Sequence, residues 1–318
     1  MMRRTVSLIA CLAPALAWAQ FPTKPIQVIS TASPGSSGDV ALRMIATKMS
    51  AAMGHPVIVD VRPAARGAQM AQALAKAAPD GHTITFGTSG TYVNARFLFK
   101  NVSFDILRDF VPISLTVRSP TYVAIASTLP IHTLAELIDF AKKNPGKIEY
   151  ASTGAGSVFH LAGESLKLYA GIDLLHVPYA QANFGQMIND WVSGRVPLYF
   201  PAYGFLAPNL GKVRPLAVLA TKRTERMPDV PAVVETLPQF QTFDVWWAFF
   251  APAGTPAEVC EKIADESRAA LKFPDVLARL DQLALTPVGS TPAELDAELK
   301  RDLATVGNLV RKIGLKPE

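Results

Sequence analysis

Short apolar runs alternate with amphipathic stretches along this chain, and their spacing predicts its elements. Residues 26–31 read as a buried strand, after which Leu42, Ile45, Met49 and Met53 recur at helical spacing until Gly54 stops the helix. Residues 56–61 form a second strand, 69–77 an alanine-rich helix, and 83–86 a third strand entering Gly87-Thr88-Ser89-Gly90-Thr91. Strand, loop and helix repeating in this order predict parallel strands with helices on both faces.

The same grammar restarts at Tyr122-Val123-Ala124-Ile125-Ala126. A helix over 134–143 ends at Asn144-Pro145-Gly146, and a strand over 148–152 ends in Thr153-Gly154-Ala155-Gly156-Ser157. Phe159, Ala162, Leu166 and Tyr169 make one face of the next helix. Strands over 174–177, 196–200 and 213–219 follow, with a helix over 182–192 between the first two. From Thr255 the pattern turns helical, over 256–271, 274–283 and 292–313, with a short extended Thr286-Pro287-Val288. This last block is expected to pack back onto one α/β unit.

Two crossings, near 111–126 and 244–252, divide the chain into lobes of residues 20–122 with 246–318, and 123–245. Such a hinge holds a ligand between its lobes. Trp246-Trp247 and Phe249-Phe250 fit the core of a crossing strand, alternating between its faces, better than they fit an aromatic ligand wall. Lys222-Arg223-Thr224-Glu225-Arg226 reads as a solvated loop.

The N-terminus adds a compartment. Arg3 and Arg4 precede an apolar stretch over 6–17, and Ala17-Trp18-Ala19 fits a small-x-small cleavage site. A secretory signal over residues 1–19, cleaved after Ala19, and a periplasmic mature protein beginning at Gln20 are therefore expected. The apolar run is shorter than the roughly 20 residues that span a bilayer. Leu8-Ile9-Ala10-Cys11 has the look of a lipidation site, but the apolar run before it is shorter than the roughly 7–15 residues of a normal signal core, so Cys11 is read as an ordinary residue of that core. Cys260 is then the only cysteine of the mature chain, which excludes an intramolecular disulfide. With 49% hydrophobic and 18% charged residues, the chain can bury a sizeable core instead. The formal charge of +5 falls to near +3 without Arg3 and Arg4, and its scattered basic residues exclude a nucleic-acid surface.

Ligands of open parallel sheets bind beyond the carboxyl ends of strands, where helix N-termini point free N–H groups into the crevice. Four loops fit that place: Ala32-Ser33-Pro34-Gly35-Ser36-Ser37-Gly38-Asp39, Thr88-Ser89-Gly90-Thr91, Thr153-Gly154-Ala155-Gly156-Ser157 and Tyr179-Ala180-Gln181-Ala182-Asn183. Small side chains let backbone donors approach an anion, so a carboxylate is held without a salt bridge. In any single loop, serine and threonine as helix caps and glycine as a turn residue explain the composition equally well; four loops at equivalent positions favour a crevice. Motifs for serine hydrolases, phosphate-binding loops and zinc peptidases are absent, as is any cysteine pair with metal spacing. Neither a catalytic residue, a metal nor a cofactor is expected. His55, His82 and His132 read as structural or exposed, and His160 and His176, near the crevice, as packed and hydrogen-bonded.

Over the whole mature length the chain resembles the substrate-binding proteins of tripartite tricarboxylate transporters, the Bug family of periplasmic receptors. Pro22-Thr23-Lys24-Pro25-Ile26, Ala78-Pro79-Asp80-Gly81-His82-Thr83, Arg108-Asp109-Phe110-Val111-Pro112-Ile113, Asn144-Pro145-Gly146-Lys147-Ile148, His160-Leu161-Ala162-Gly163-Glu164, His176-Val177-Pro178-Tyr179, Asp229-Val230-Pro231 and Ala251-Pro252-Ala253-Gly254-Thr255-Pro256 carry the likeness in order. It implies an α/β, type II periplasmic-binding-protein fold, two lobes with parallel-type sheets joined by two crossing strands. It also implies a monomeric receptor that hands a small carboxylate to membrane permease subunits. The ligand-binding residues it implies are Ala32, Ser33, Ser36, Ser37, Gly38, Thr88, Ser89, Thr91, Thr153, Gly154, Ala155, Ser157, Phe159, Ala180 and Gln181.

The chain departs from the family pattern at the ligand. Ala32 stands for a usual phenylalanine, Ser36 for a glycine, Ala155 for an asparagine, Ala180-Gln181 for a lysine-glycine pair, and Pro197 and Pro201 for aspartates. A wider and less polar crevice is expected, suited to an aromatic or longer dicarboxylate rather than a small acidic amino acid. A receptor feeding a sensor kinase, or an enzyme on the same bilobal fold, are the alternative readings.

Overall fold

The computed structural model describes residues 21–32, 34–62, 68–100, 102–155, 157–180, 183–242 and 244–317. The proposed signal and the junction after Ala19 lie outside them. The chain opens with β1 (Ile26–Ser30), α1 (Ser37–Met53), β2 (Val57–Val61), α2 (Ala68–Ala75) and β3 (Thr83–Thr88). A π turn over Gly90–Asn94 leads into the short α3 (Ala95–Leu98) and α4 (Ile106–Asp109), then β4 (Phe110–Ser119). The second unit holds β5 (Tyr122–Ala126), α5 (Leu134–Lys143), β6 (Glu149–Ser152), α6 (Val158–Ala170), β7 (Leu175–Pro178), α7 (Phe184–Ser193), β8 (Leu198–Tyr199), α8 (Tyr203–Leu206), β9 (Val213–Val218) and α9 (Val233–Thr236). The chain returns through β10 (Val245–Pro252) and finishes with α10 (Ala257–Ala270), α11 (Pro274–Gln282), β11 (Thr286–Pro287) and α12 (Pro292–Ile313).

Local chemistry explains the major helices. Ser36 caps α1 by accepting from the Asp39 N–H, and Ala41, Leu42, Ile45 and Met49 form its buried stripe. In α12, Thr291 and Glu294 make a reciprocal capping box, Pro292 takes the first turn, and Gly314 ends the helix at φ 67°.

Two sheets result, ordered β11-β4-β10-β3-β1-β2 and β7-β6-β8-β5-β9. β1 lies parallel to both β2 and β3, and β6 parallel to β7 and β8. The sheets are mixed rather than wholly parallel, because β10 runs antiparallel to β3 and β4, and β5 antiparallel to β8 and β9. The antiparallel members flank the crossings: β4 leads the chain out of the first sheet into β5, and β10 brings it back.

Trp246, Phe249 and Phe250 are fully buried, as a core strand requires. Both faces of the six-stranded sheet are covered, one by α1 and α10, the other by α12 with the π turn. Leu161 of α6 is buried in that second layer, among Tyr92, Val93 and Leu303, so the two lobes also touch along α6 and α12. Cys260 is buried and unpaired, and burial pushes its thiol up to about 11. No helix among the described residues is long and apolar enough to cross a membrane.

Candidate functional site

The first two loops lie side by side because β1 and β3 are neighbours; the Thr31 N–H donates to the Phe86 carbonyl across 3.0 Å. In the first loop Gly35 takes φ 77° and its N–H donates to Asp39 Oδ2 at 2.9 Å, while Arg43 holds the same carboxylate at 3.1 Å. The hydroxyl of Ser36 is spent as the α1 cap. Ser37 is half-buried and its hydroxyl has no partner among the described residues. The N–H groups of Ser37 and Gly38 open the helix without an intrahelical acceptor, which leaves two donors and the positive end of the helix dipole facing outward.

In the second loop Thr88 Oγ1 accepts from the Thr91 N–H at 3.3 Å and lies 3.5 Å from Thr91 Oγ1. Ser89 is buried and donates to the Asp244 carbonyl at 3.0 Å, tying this loop to the returning crossing strand.

The third and fourth loops pair on the five-stranded sheet through the Tyr179 N–H and the Ser152 carbonyl, 2.8 Å apart. Gly154 takes φ 111°, a conformation that favours glycine, and Ser152 Oγ braces it by bonding both its N–H and its carbonyl at 3.1 Å. Ser152 Oγ is also 2.6 Å from His176 Nε2, and the His176 ring stacks on His160 at 4.2 Å. Burial, with His160 adding to it, pushes His176 down to about 4, so the ring is neutral at ordinary pH and serves as a hydrogen-bonded support. Ser157 caps α6 by accepting from the His160 N–H, and the N–H groups of Val158 and Phe159 open that helix as Ser37 and Gly38 open α1. Thr153 is half-buried, Ala155 and Ala180 are exposed, and Phe159 packs on Tyr199 at 5.1 Å. Ser33 and Gln181 lie outside the described residues.

The loops of the two sheets face one another. A methyl group on Gly90 would lie 3.9 Å from Val158 Cγ2, which sets the second loop against the start of α6. Ala32 is 5% exposed, and its N–H donates to Ser30 Oγ at 3.1 Å. Pro197 and Pro201 are buried too, and their carbonyls accept from Ala126 and Tyr122 of β5.

Sequence reasoning missed two groups here. Trp247 is half-buried, with its Nε1 so close to Gly38 that a methyl group there would lie 2.3 Å away. Alternation along β10 sends Trp246 inward to Asp302, 2.8 Å from its Nε1, and leaves Trp247 as an aromatic wall beside the first turn of α1. Tyr199 is the second; its hydroxyl is buried behind Phe159 with no partner among the described residues. The Lys222–Arg226 run is also more than a solvated loop: Arg223 forks onto Glu235 at 2.8 and 2.7 Å, and Arg226 reaches Asp281 of α11 on the other lobe at 2.8 Å.

Among the described residues, no group of three or more histidine, cysteine or carboxylate side chains is placed to hold a metal. The arrangement is one of paired helix N-termini, small hydroxyls and aromatic walls, which suits capture of an anion with an apolar body.

The family model for the tripartite tricarboxylate transporter family receptor matches residues 41–315. A UPF0065 protein from Pseudomonas sp. (strain P51) is 35% identical over 279 residues, which cover 86% of this chain and 82% of that one. Among solved structures, an R. palustris protein with adipate is 27% identical with a TM-score of 0.77, covering 94% of this chain and all of that one. MatC from Rhodopseudomonas palustris with bound malate is 28% identical with a TM-score of 0.72, covering 91% of this chain and 100% of that one. The periplasmic binding protein BugD is 28% identical with a TM-score of 0.73, covering 94% and 100%.

Proposed function

Because the chain belongs to the tripartite tricarboxylate transporter receptor family, we propose that it is a periplasmic receptor that captures an aromatic or longer dicarboxylic acid and delivers it to membrane permease subunits. The observation that carries this reading is the pairing of small, donor-rich loops at the strand ends of two facing sheets. One carboxylate meets the N–H groups at the start of α1 with the Ser37 hydroxyl; the remainder of the acid meets Trp247, Phe159 and the start of α6. The lobes comprise residues 20–122 with 246–318, and 123–245, and the protein acts as a monomer, cleaved after Ala19. Its role is reversible binding, carried by backbone N–H groups, small hydroxyls and aromatic side chains.

The length of the preferred acid follows from two exposed positions. Ala155 and Ala180 leave the second-lobe side of the crevice open, and unfilled apolar surface forgoes about 25 cal/mol per Å² of possible burial. The adipate held by the R. palustris relative is an acid of the expected length. Calorimetric titration of the purified mature protein with adipate, benzoate, malate, aspartate and glutamate tests the reading. Adipate or benzoate is expected to bind at least tenfold more tightly than aspartate or glutamate, a gap of about 1.4 kcal/mol. Ser37→Ala should weaken every acid at least tenfold, about 1.5–3 kcal/mol for one hydrogen bond to a charged group. Tight aspartate or glutamate binding, or an unaltered Ser37→Ala variant, would show that these residues do not select the ligand.

A further inference from the structure

Away from the crossing strands, the layers of the two sheets meet on opposite faces of the six-stranded sheet. On one face Leu161 of α6 is buried among Tyr92, Val93 and Leu303. On the other, which carries α1, α10 and α11, Arg226 of the loop after β9 reaches α11. Its guanidinium donates to the Asp281 carbonyl at 2.7 Å, pairs with the Asp281 carboxylate at 2.8 Å, and lies 4.9 Å over the Tyr203 ring of α8. Both ends of this bridge are fixed to their own lobe. Arg223 forks onto Glu235, and Thr224 Oγ1 lies 3.0 Å from the Tyr122 hydroxyl, which pins the loop to α9 and β5. Val276 and Leu280 are fully buried and pin α11 to the six-stranded sheet.

Asp281 lies in the last turn of α11, where the negative end of the helix dipole disfavours an acid. The carboxylate thus works against its own helix, and its compensation is the cation of the other lobe. Between the bridge and the crossing strands the lobes stand apart around a cavity of about 610 Å³, walled by Arg118, Asp244, Tyr203, Leu277 and Pro287. The bridge therefore stands clear of the hinge, and small rotations about β4 and β10 move its two ends apart. It also stands on the same face of the sheet as α1, which packs against α11 and presents the Ser37 and Gly38 N–H groups to the crevice.

We propose that the Arg226–Asp281 bridge is a latch, which favours the closed arrangement of the lobes and so holds the α1 donors toward the loops of the second sheet. The latch rests on the reading of the crevice as a carboxylate site, yet it touches no ligand. It sets the share of acid-free molecules that are ready to bind, and the apparent affinity for every acid scales with that share. An ion pair with one exposed partner is modest, and a shift of a few-fold in that share is within its reach.

Asp281→Arg tests the latch in the mature protein, since the position is exposed and a basic residue suits the end of α11. Like charges at the two positions should push the lobes apart. Without acid, the variant should show a larger radius of gyration than wild type by small-angle scattering. In calorimetric titrations adipate, benzoate and malate should all bind at least threefold more weakly, by one common factor, while the melting temperature does not fall. Adding Arg226→Glu restores an attractive pair and should return both the radius and the affinities most of the way to wild type. An acid-free profile identical to that of wild type would overturn the latch. So would unchanged or tighter acid binding, or a weakening matched by a lower melting temperature. A wild type that binds none of the acids would refute the carboxylate reading instead, and the acid-free scattering still decides the latch.

Discussion

Gly38→Ala is expected to weaken acid binding at least thirtyfold, about 2 kcal/mol, while leaving the protein folded. The new Cβ would fall 2.3 Å from Trp247 Nε1 and 2.9 Å from its Cδ1 and Cε2, distances no neighbour tolerates. Trp247 is half-buried on the crevice side of its strand, so its indole can swing outward, and the wall beside the α1 donors goes with it. The stability cost is the part of the indole packing that is lost, roughly 1–2 kcal/mol. Calorimetry and thermal melts of the same sample separate the two effects. Gly90→Ala is the milder comparison, because its Cβ meets only Thr88 Oγ1 at 3.3 Å and Val158 at 3.9 Å. Unchanged affinity in Gly38→Ala would remove Trp247 from the site.

The largest stability effect is expected at Arg118. Its guanidinium is the cation shared by Asp244 of the crossing strand and Glu298 of α12, in a network that continues to Arg301, Asp302 and the Trp246 N–H. Burial already holds Asp244 above the ordinary carboxylate range against the pull of Arg118, and raises Asp302 to about 6. Arg118→Ala leaves Asp244 without its counter-charge and removes the more distant pull of Arg118 on Asp302, and should cost about 3 kcal/mol near pH 7.5, within the usual range for breaking a buried pair. A fall in Tm of about 5–10 °C follows. The loss depends on pH in a set direction. Carboxyls with a folded pKa above the unfolded one favour folding below the unfolded value, near 3.8, and lose that contribution as the pH rises through the folded value, about 6 for Asp302. The variant raises those folded values further, so its deficit should shrink between pH 7.5 and pH 5. Thermal melts of both proteins across this window check it; a deficit that grows in acid would contradict the account.

Much of this arrangement is legible in the chain because each element carries its own punctuation. The serine caps of α1 and α6, the Thr291–Glu294 box and the glycines that end the helices are local signals, and the buried stripes repeat often enough to be counted. The four-residue helices α3, α4, α8 and α9 escape because they are too short to show a period. Strand direction escapes for a different reason: a strand buried on both faces, such as 122–126, has the same composition whether its neighbours run with it or against it. The crevice loops are visible as clusters of glycine, serine and threonine. Their hydroxyls divide into caps, at Ser36 and Ser157, and one without a partner among the described residues, at Ser37, a distinction made only by the backbone geometry. Pairings over long separations, such as Ser89 with Asp244 or Arg226 with Asp281, have no local signature at all.

Closure of two lobes on an acid is the claim from which the rest follows, and small-angle scattering tests it most directly. The mature protein is measured alone and with saturating adipate, occupancy being established calorimetrically on the same sample. Two crossings at β4–β5 and β9–β10, with donor loops on both sheets, predict a smaller radius of gyration and a shorter maximum dimension when adipate is bound. An identical profile at full occupancy would contradict closure and assign the acid to a rigid pocket.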